Sequence, residues 1–204
     1  MAAVNQSQLN KARLDKFLLV LNLPPVLKDI SNDYLGSREN TGIIENSLQF
    51  SVYGSVVPSV TVPEISQGYA GQFYKVSSHT RPAYENVSVN FTVDNEFNNY
   101  WVLYKWLDFL NDEKLSKFNA KELANIPNLS PAVKSTDDSL SPPSLYQADI
   151  SLIAKDEFDQ NKVKFTYTKA FPVSLGGISY NYRTPGEVET TFEFAFSQLL
   201  VELL

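Results

Sequence analysis

The sequence contains no cysteine, one histidine, one methionine and only two tryptophans among 204 residues. Without thiols there is no disulfide framework, no thiolate nucleophile, no iron–sulfur ligation and no cysteine-held zinc. The absence of disulfides fits a reducing compartment. A single imidazole, His79, could in principle activate a serine in its Ser77–Arg81 stretch, but no second histidine accompanies it. Positive charge is also short: 17 Lys and Arg against 23 Asp and Glu give a net charge of −6. A surface that grips nucleic acid through phosphate neutralisation needs clustered cations, so tight nucleic-acid binding is not expected. No apolar run approaches membrane-spanning length, and Met1–Lys16 lacks the greasy stretch of a cleaved signal.

What is present is apolar and aromatic: 43% hydrophobic and 13% aromatic, enough to bury a sizeable core in one domain spanning residues 1–204. Strand signals dominate. Leu14–Leu21 is a Leu-, Val- and Phe-rich run stopped by Pro24 and Pro25. Leu48, Phe50 and Val52 alternate with Ser47, Gln49 and Ser51, predicting a long strand from Ser47 to about Val62, interrupted at Gly54 and Pro58. Glu64–Thr80 places Tyr69, Phe73 and Tyr74 among turn residues, as a protruding hairpin or loop.

Val87, Val89, Phe91 and Val93 mark a half-buried strand. Gln147–Ile153, a strand through Val163, Phe165 and Tyr167, another through Ile178, Tyr180 and Tyr182, and a final one follow. In the last, Val188, Phe192, Phe194 and Phe196 share the core side, with Glu187, Glu189, Thr191 and Glu193 opposite. Two polar tracts, about 24–46 and 113–145, read as insertions, the second with a short helical piece at Ala120–Asn125 and too little apolar content to fold alone. The fold class is therefore mainly β, an antiparallel sandwich or barrel with an inserted polar segment.

One helix is predicted, capped by Asp94 or Asn95. Its apolar residues Phe97, Tyr100, Trp101, Val102, Leu103, Tyr104, Trp106, Leu107, Phe109 and Leu110 exceed what one core-facing stripe can bury. A second surface must cover the remainder, and another subunit is the natural source. The bland alternative is a helix wholly buried in a monomer.

Sites of chemistry are scarce. His79 in Ser77–Arg81 has no nucleophile-elbow context and reads as a solvated loop residue. Asp156, Glu157, Asp159 and Asn161 lack the glycine and distal glutamate of a helix-loop-helix calcium loop. Gly176-Gly177 has no following Gly-Lys-Ser/Thr and reads as turn chemistry. No catalytic residue, metal or cofactor is assigned.

The order of these segments resembles the tail tube proteins of contractile-tailed bacteriophages, the group that includes the T-even tube protein and is related to the type VI secretion tube protein. The resemblance is carried by Arg13-Leu-Asp-Lys-Phe17 at the first strand and Phe50–Val60 leading into a projecting loop. It continues with the strand, turn and aromatic helix of Val87–Leu110, the hairpin entry Ala170–Tyr180 and the closing strand Thr190–Phe196. It implies a β-sandwich or barrel-like subunit with a flanking helix, forming six-membered rings stacked into a hollow tube. The implied partners are further copies, a sheath protein, a tape measure protein, baseplate or initiator proteins, and duplex DNA in transit without specific binding. The implied place is the virion tail, assembled in the host cytoplasm.

On that basis Glu187, Glu189 and Glu193 are expected to face the lumen. Tyr69, Phe73, Tyr74, Tyr100, Trp101 and Tyr104 are expected to contact other subunits or rings, and Phe192, Phe194 and Phe196 to form core. The rival readings are a baseplate-proximal initiator, a secretion-type tube that moves proteins, a carbohydrate-binding β-sandwich using Trp or Tyr platforms, and a hydrolase using His79 or paired carboxylates.

Overall fold

The computed structural model describes residues 12–24, 27, 49, 51–110, 146–183 and 185–204. In chain order these form β1 (Phe17–Leu21), β2 (Val52–Ser55), β3 (Glu64–Tyr69), β4 (Gln72–Ser77), β5 (Val87–Thr92), α1 (Asn98–Leu110), β6 (Ala148–Lys155), β7 (Asn161–Leu175), β8 (Glu189–Ala195) and β9 (Gln198–Leu203). Seven strands make one antiparallel sheet, β1-β6-β7-β8-β5-β2, with β9 also on β7; β3 and β4 form a separate hairpin.

The organising strand is β7. Its first half pairs with β6 and β9, its second half with β8, in one nearly continuous register from Val163↔Leu203 to Leu175↔Phe192. The ladder bends where Lys169 takes a positive φ of 54° and Ser197 separates β8 from β9. The bend folds the sheet over itself. Leu19, Leu21, Ile150, Leu152 and Tyr167 from one half thus meet Val87, Val89, Phe91, Phe192 and Phe194 from the other in one buried cluster. Tyr167 packs edge-on against both Phe194 and Phe196, at 5.3 and 5.1 Å between ring centres.

Strict alternation explains why these strands can serve two environments. In β5, Val87, Val89 and Phe91 are buried while Ser88, Asn90 and Thr92 are not; in β8, Thr190, Phe192 and Phe194 point inward. Phe196, past the end of β8, is only partly buried.

Helix α1 seals one side of the core. Asn99, Val102, Leu103, Trp106 and Phe109 are its buried stripe, at the three- and four-residue spacing of one helix face. Its start is fixed by Asp94, whose carboxylate accepts from the Asn98 and Asn99 backbone N–H groups at 2.7 and 3.4 Å. The side chain of buried Asn99 donates to Ser51 Oγ and to the Thr92 carbonyl, tying the helix to the strand before it. Trp106 satisfies its indole N–H on the Tyr146 carbonyl at 2.7 Å.

Two expectations are corrected. The predicted strand Ser47–Val62 shrinks to Val52–Ser55, with Gln49 and Ser51 helical; Ser47, Leu48 and Phe50 lie outside the described residues. A bulge between Val52 and Gly54, followed by Pro58, ends pairing early. Ile178, Tyr180 and Tyr182 form no strand, because both sides of β8 are already taken by β7 and β5. Of these only Ile178 packs on the core, and Tyr180 and Tyr182 stand in solvent. The insertion at 113–145, its helical piece, and the part of the 24–46 tract beyond Pro24 and Leu27 lie outside the described residues.

Burial pushes the Tyr167 phenol up to about 12, against an ordinary value of 10. The folded pKa is the raised one, so the associated stability is fully present below pH 10 and is lost as pH rises through 12, on the order of 2–3 kcal/mol. Tyr167→Phe is expected to remove that alkaline slope, at a neutral-pH cost of about 1 kcal/mol for the bond from Tyr167 to the Val56 carbonyl. Urea unfolding of both proteins at pH 8 and pH 11.5 checks it; parallel losses in the two would contradict it.

Candidate functional site

Two surfaces stand out, and neither is a catalytic pocket. The first is an arm. From Val56 to Asn86 no residue is buried, and the chain runs out and back around the β3–β4 hairpin. Ala70 and Gly71, at φ 51° and 78°, make its two-residue turn, a conformation that glycine adopts without strain. Cross-strand pairs place Ile65, Val76, Tyr74 and Tyr69 on one face. Phe73 sits over Gly68 on the other, beside the Lys75–Glu64 ion pair. Tyr69 is 75% and Phe73 83% exposed. A lone two-stranded hairpin is marginal in water, so apolar residues on both of its faces call for a covering partner.

The second surface is the outward face of the β2–β5–β8 half of the sheet. Glu189 and Glu193 alternate with buried neighbours, flanked across β5 by Thr92 and Ser88. Tyr53 donates to Glu189 at 3.1 Å and Ser174 to Glu193 at 3.2 Å. Desolvation first, and the hydrogen bond to the Glu189 carboxylate second, raise the Tyr53 hydroxyl pKa above its ordinary value. Glu187 is exposed just before β8. Strands β2, β5 and β8 carry no Lys or Arg, and the ion pairs among the described residues lie elsewhere. Among the described residues these three strands present polar side chains and no cation on this face.

The edge of that half is held close at Gly176, whose N–H reaches the Thr191 carbonyl at 2.7 Å. A Cβ there would lie 2.6 Å from Thr191 Oγ1. Glycine is required at this contact.

The helix contributes less free surface than its sequence suggests. Tyr100, Trp101 and Tyr104 are half-buried: Trp101 stacks on Tyr104 at 5.7 Å between ring centres, and Lys105 Nζ sits 4.9 Å above the Trp101 ring. A groove of about 510 Å³ remains between Tyr100, Tyr104, Leu107 and Leu110 on α1 and Pro172, Val173 and Leu175 on β7. The arm, far more than the helix, carries the uncovered apolar surface.

Of the sequence-singled residues, Tyr69, Phe73 and Tyr74 share the arm and Tyr100, Trp101 and Tyr104 share α1. Phe192 and Phe194 lie under the face that presents Glu189 and Glu193. Strand β9 was missed. Its signal was the run Leu199-Leu200-Val201, which lacks the alternation that marked its neighbours. His79 is an exposed loop residue at φ 55°. Among the described residues no group of acidic or histidine side chains is arranged to hold a metal, and no helix is long and apolar enough to cross a membrane.

A family profile described as phage tail tube protein matches residues 12–202. No curated protein matches the chain. Among solved structures, the anti-feeding prophage cap, the AFP tube terminating cap, is similar with a TM-score of 0.58 at 13% identity, over 100% of this chain and 99% of that one. The sheath/tube terminator of the PVC extracellular contractile injection system, in its extended state, gives 0.55 at 8% identity over 96% and 99%. The PVC sheath–tube complex in the extended state gives 0.51 at 9% identity over 95% and 93%. At these identities the likeness establishes the fold.

Proposed function

Because this chain belongs to the phage tail tube protein family, we propose that it is a ring-forming subunit of the inner tube of a contractile injection apparatus. Six copies close a ring and rings stack into a hollow conduit, inside a sheath and upon a baseplate initiator. The conduit holds a tape measure protein before ejection and DNA during it. The observation that carries this reading is the arm: about thirty residues without one buried side chain, with aromatic residues on both hairpin faces.

Closure also accounts for the sheet. Its edge strands are liabilities in a monomer and are consumed when neighbours continue one another's sheets around a barrel. The cation-free face with Glu187, Glu189 and Glu193 then lines the bore, where it repels phosphate weakly over about 8–10 Å and releases no counterions. Tyr69, Phe73 and Tyr74, with Tyr100 and Tyr104 along the helix groove, supply contacts between copies.

A second reading, a single ring that terminates the tube, draws support from the end-to-end match with the AFP cap and the PVC terminator. Negative-stain microscopy of the purified protein separates the two. Hollow rods are expected for a repeating tube subunit, and isolated rings that never stack for a terminal one. A uniform monomer at high concentration would contradict both.

A further inference from the structure

Among the described residues the whole strands β1, β2 and β9 are each paired on one side only, and they are not alike. Strand β1 is followed by Pro24, and β2 is broken by its bulge and runs into Pro58. Prolines and bulges are the devices by which proteins discourage edge pairing. Strand β9, Gln-Leu-Leu-Val-Glu-Leu, has neither; its one charge, Glu202, lies opposite Lys164 on the outer face.

The direction of its free hydrogen-bonding groups follows from the register. Leu204 N–H bonds the Lys162 carbonyl at 2.9 Å, and Val163 faces Leu203, so the even-numbered residues of β9 turn their backbone groups toward β7. Leu199, Val201 and Leu203 therefore turn theirs outward, where no backbone partner meets them among the described residues. The side chains of these three face the core side, opposite Tyr167, Phe165 and Val163. Yet Val201 is 57% and Leu203 87% exposed, so the apolar row runs out from under its cover.

Beside the start of this edge, Arg81–Tyr84 runs past Ser197–Leu200 across a cleft of about 380 Å³, pinned by the Tyr84–Phe196 stack at 5.0 Å. No backbone hydrogen bond bridges that cleft among the described residues.

We propose that the β9 edge is extended by an arm strand from a second copy of this chain. This rests on the tube-subunit reading and names the acceptor for the arm. The donor fits by chemistry: among the described residues both outer edges of the hairpin are unpaired, and its exposed Ile65, Tyr69, Phe73 and Tyr74, with Val56, Val57, Val60 and Val62, present apolar surface on the order of 800 Å². That is about one partner's share of a stable interface. Backbone pairing supplies the register, and the Val201 and Leu203 row supplies the apolar seat.

The absence of native cysteine allows a direct test. Full-length Val201→Cys protein is mixed under mild oxidation with single variants Ile65→Cys, Tyr69→Cys or Val76→Cys. At least one arm pairing is expected to give a mixed disulfide dimer in roughly 10-fold excess over a Leu18→Cys control on β1. Val201→Pro, which deletes an outward N–H and keeps the β7 ladder, is expected to weaken self-association roughly 100-fold, whereas Val201→Thr keeps it. Rings that form normally with Val201→Pro and give no arm cross-link would overturn this proposal and leave the tube reading standing. Wild-type protein that never self-associates would overturn both.

Discussion

The double substitution Tyr69→Ser with Phe73→Ser is expected to abolish assembly while leaving the subunit folded. Both side chains are more than 70% exposed in the single chain, so their loss should move its thermal midpoint little, within the ±0.5 kcal/mol typical of surface changes. In an assembly the same rings become buried aromatic anchors, each worth about 2 kcal/mol or more when truncated. Two per copy correspond to a loss of roughly a thousandfold in association constant. Sedimentation velocity over a concentration series, with circular dichroism melts of the same samples, reads the two quantities separately. Assembly at wild-type concentrations would show that the arm is not the contact.

The second large effect concerns the bore. Glu189→Lys with Glu193→Lys shifts each copy by four charge units on a face that otherwise has no cation in β2, β5 or β8. The folding cost should be about 1 kcal/mol, since the hydrogen bonds lost to Tyr53 and Ser174 lie at the surface. Repeated around a ring, the change makes a basic lining. Assembled variant is expected to retain duplex DNA at least roughly 100-fold more tightly than wild type at 50 mM salt. The difference should collapse as salt rises, with a logarithmic slope of about −0.9 per phosphate neutralised. Equal DNA retention by both proteins would place this face away from the path of the nucleic acid.

Much of this was legible in the residues because a two-residue period with one wet face leaves a clear trace. Val87–Thr92 and Glu189–Ala195 alternate cleanly, and the structure gives them the inward and outward faces their sequence implies. The hairpin was legible from its turn residues and aromatics, and the helix from its apolar excess, although half-burial leaves it less free than that excess suggested.

The misses have physical causes. Ile178, Tyr180 and Tyr182 alternate like a strand, but alternation is local whereas a ladder needs a vacant neighbour, and β8 has none. Strand β9 went unread because Leu199, Leu200 and Val201 put apolar side chains on both faces, which is the pattern of a strand awaiting cover on each side. The bend at Lys169, which decides that one ladder serves both halves of the sheet, depends on a single positive φ with no glycine to announce it.

A cryo-EM reconstruction of the purified assembly tests the central claim most directly. The expected map has copies closed around a pore, with Glu189 and Glu193 on the inner wall and the Tyr69–Phe73 tip covered by another copy. A map with that acidic face turned outward and the arm free in solvent would contradict it.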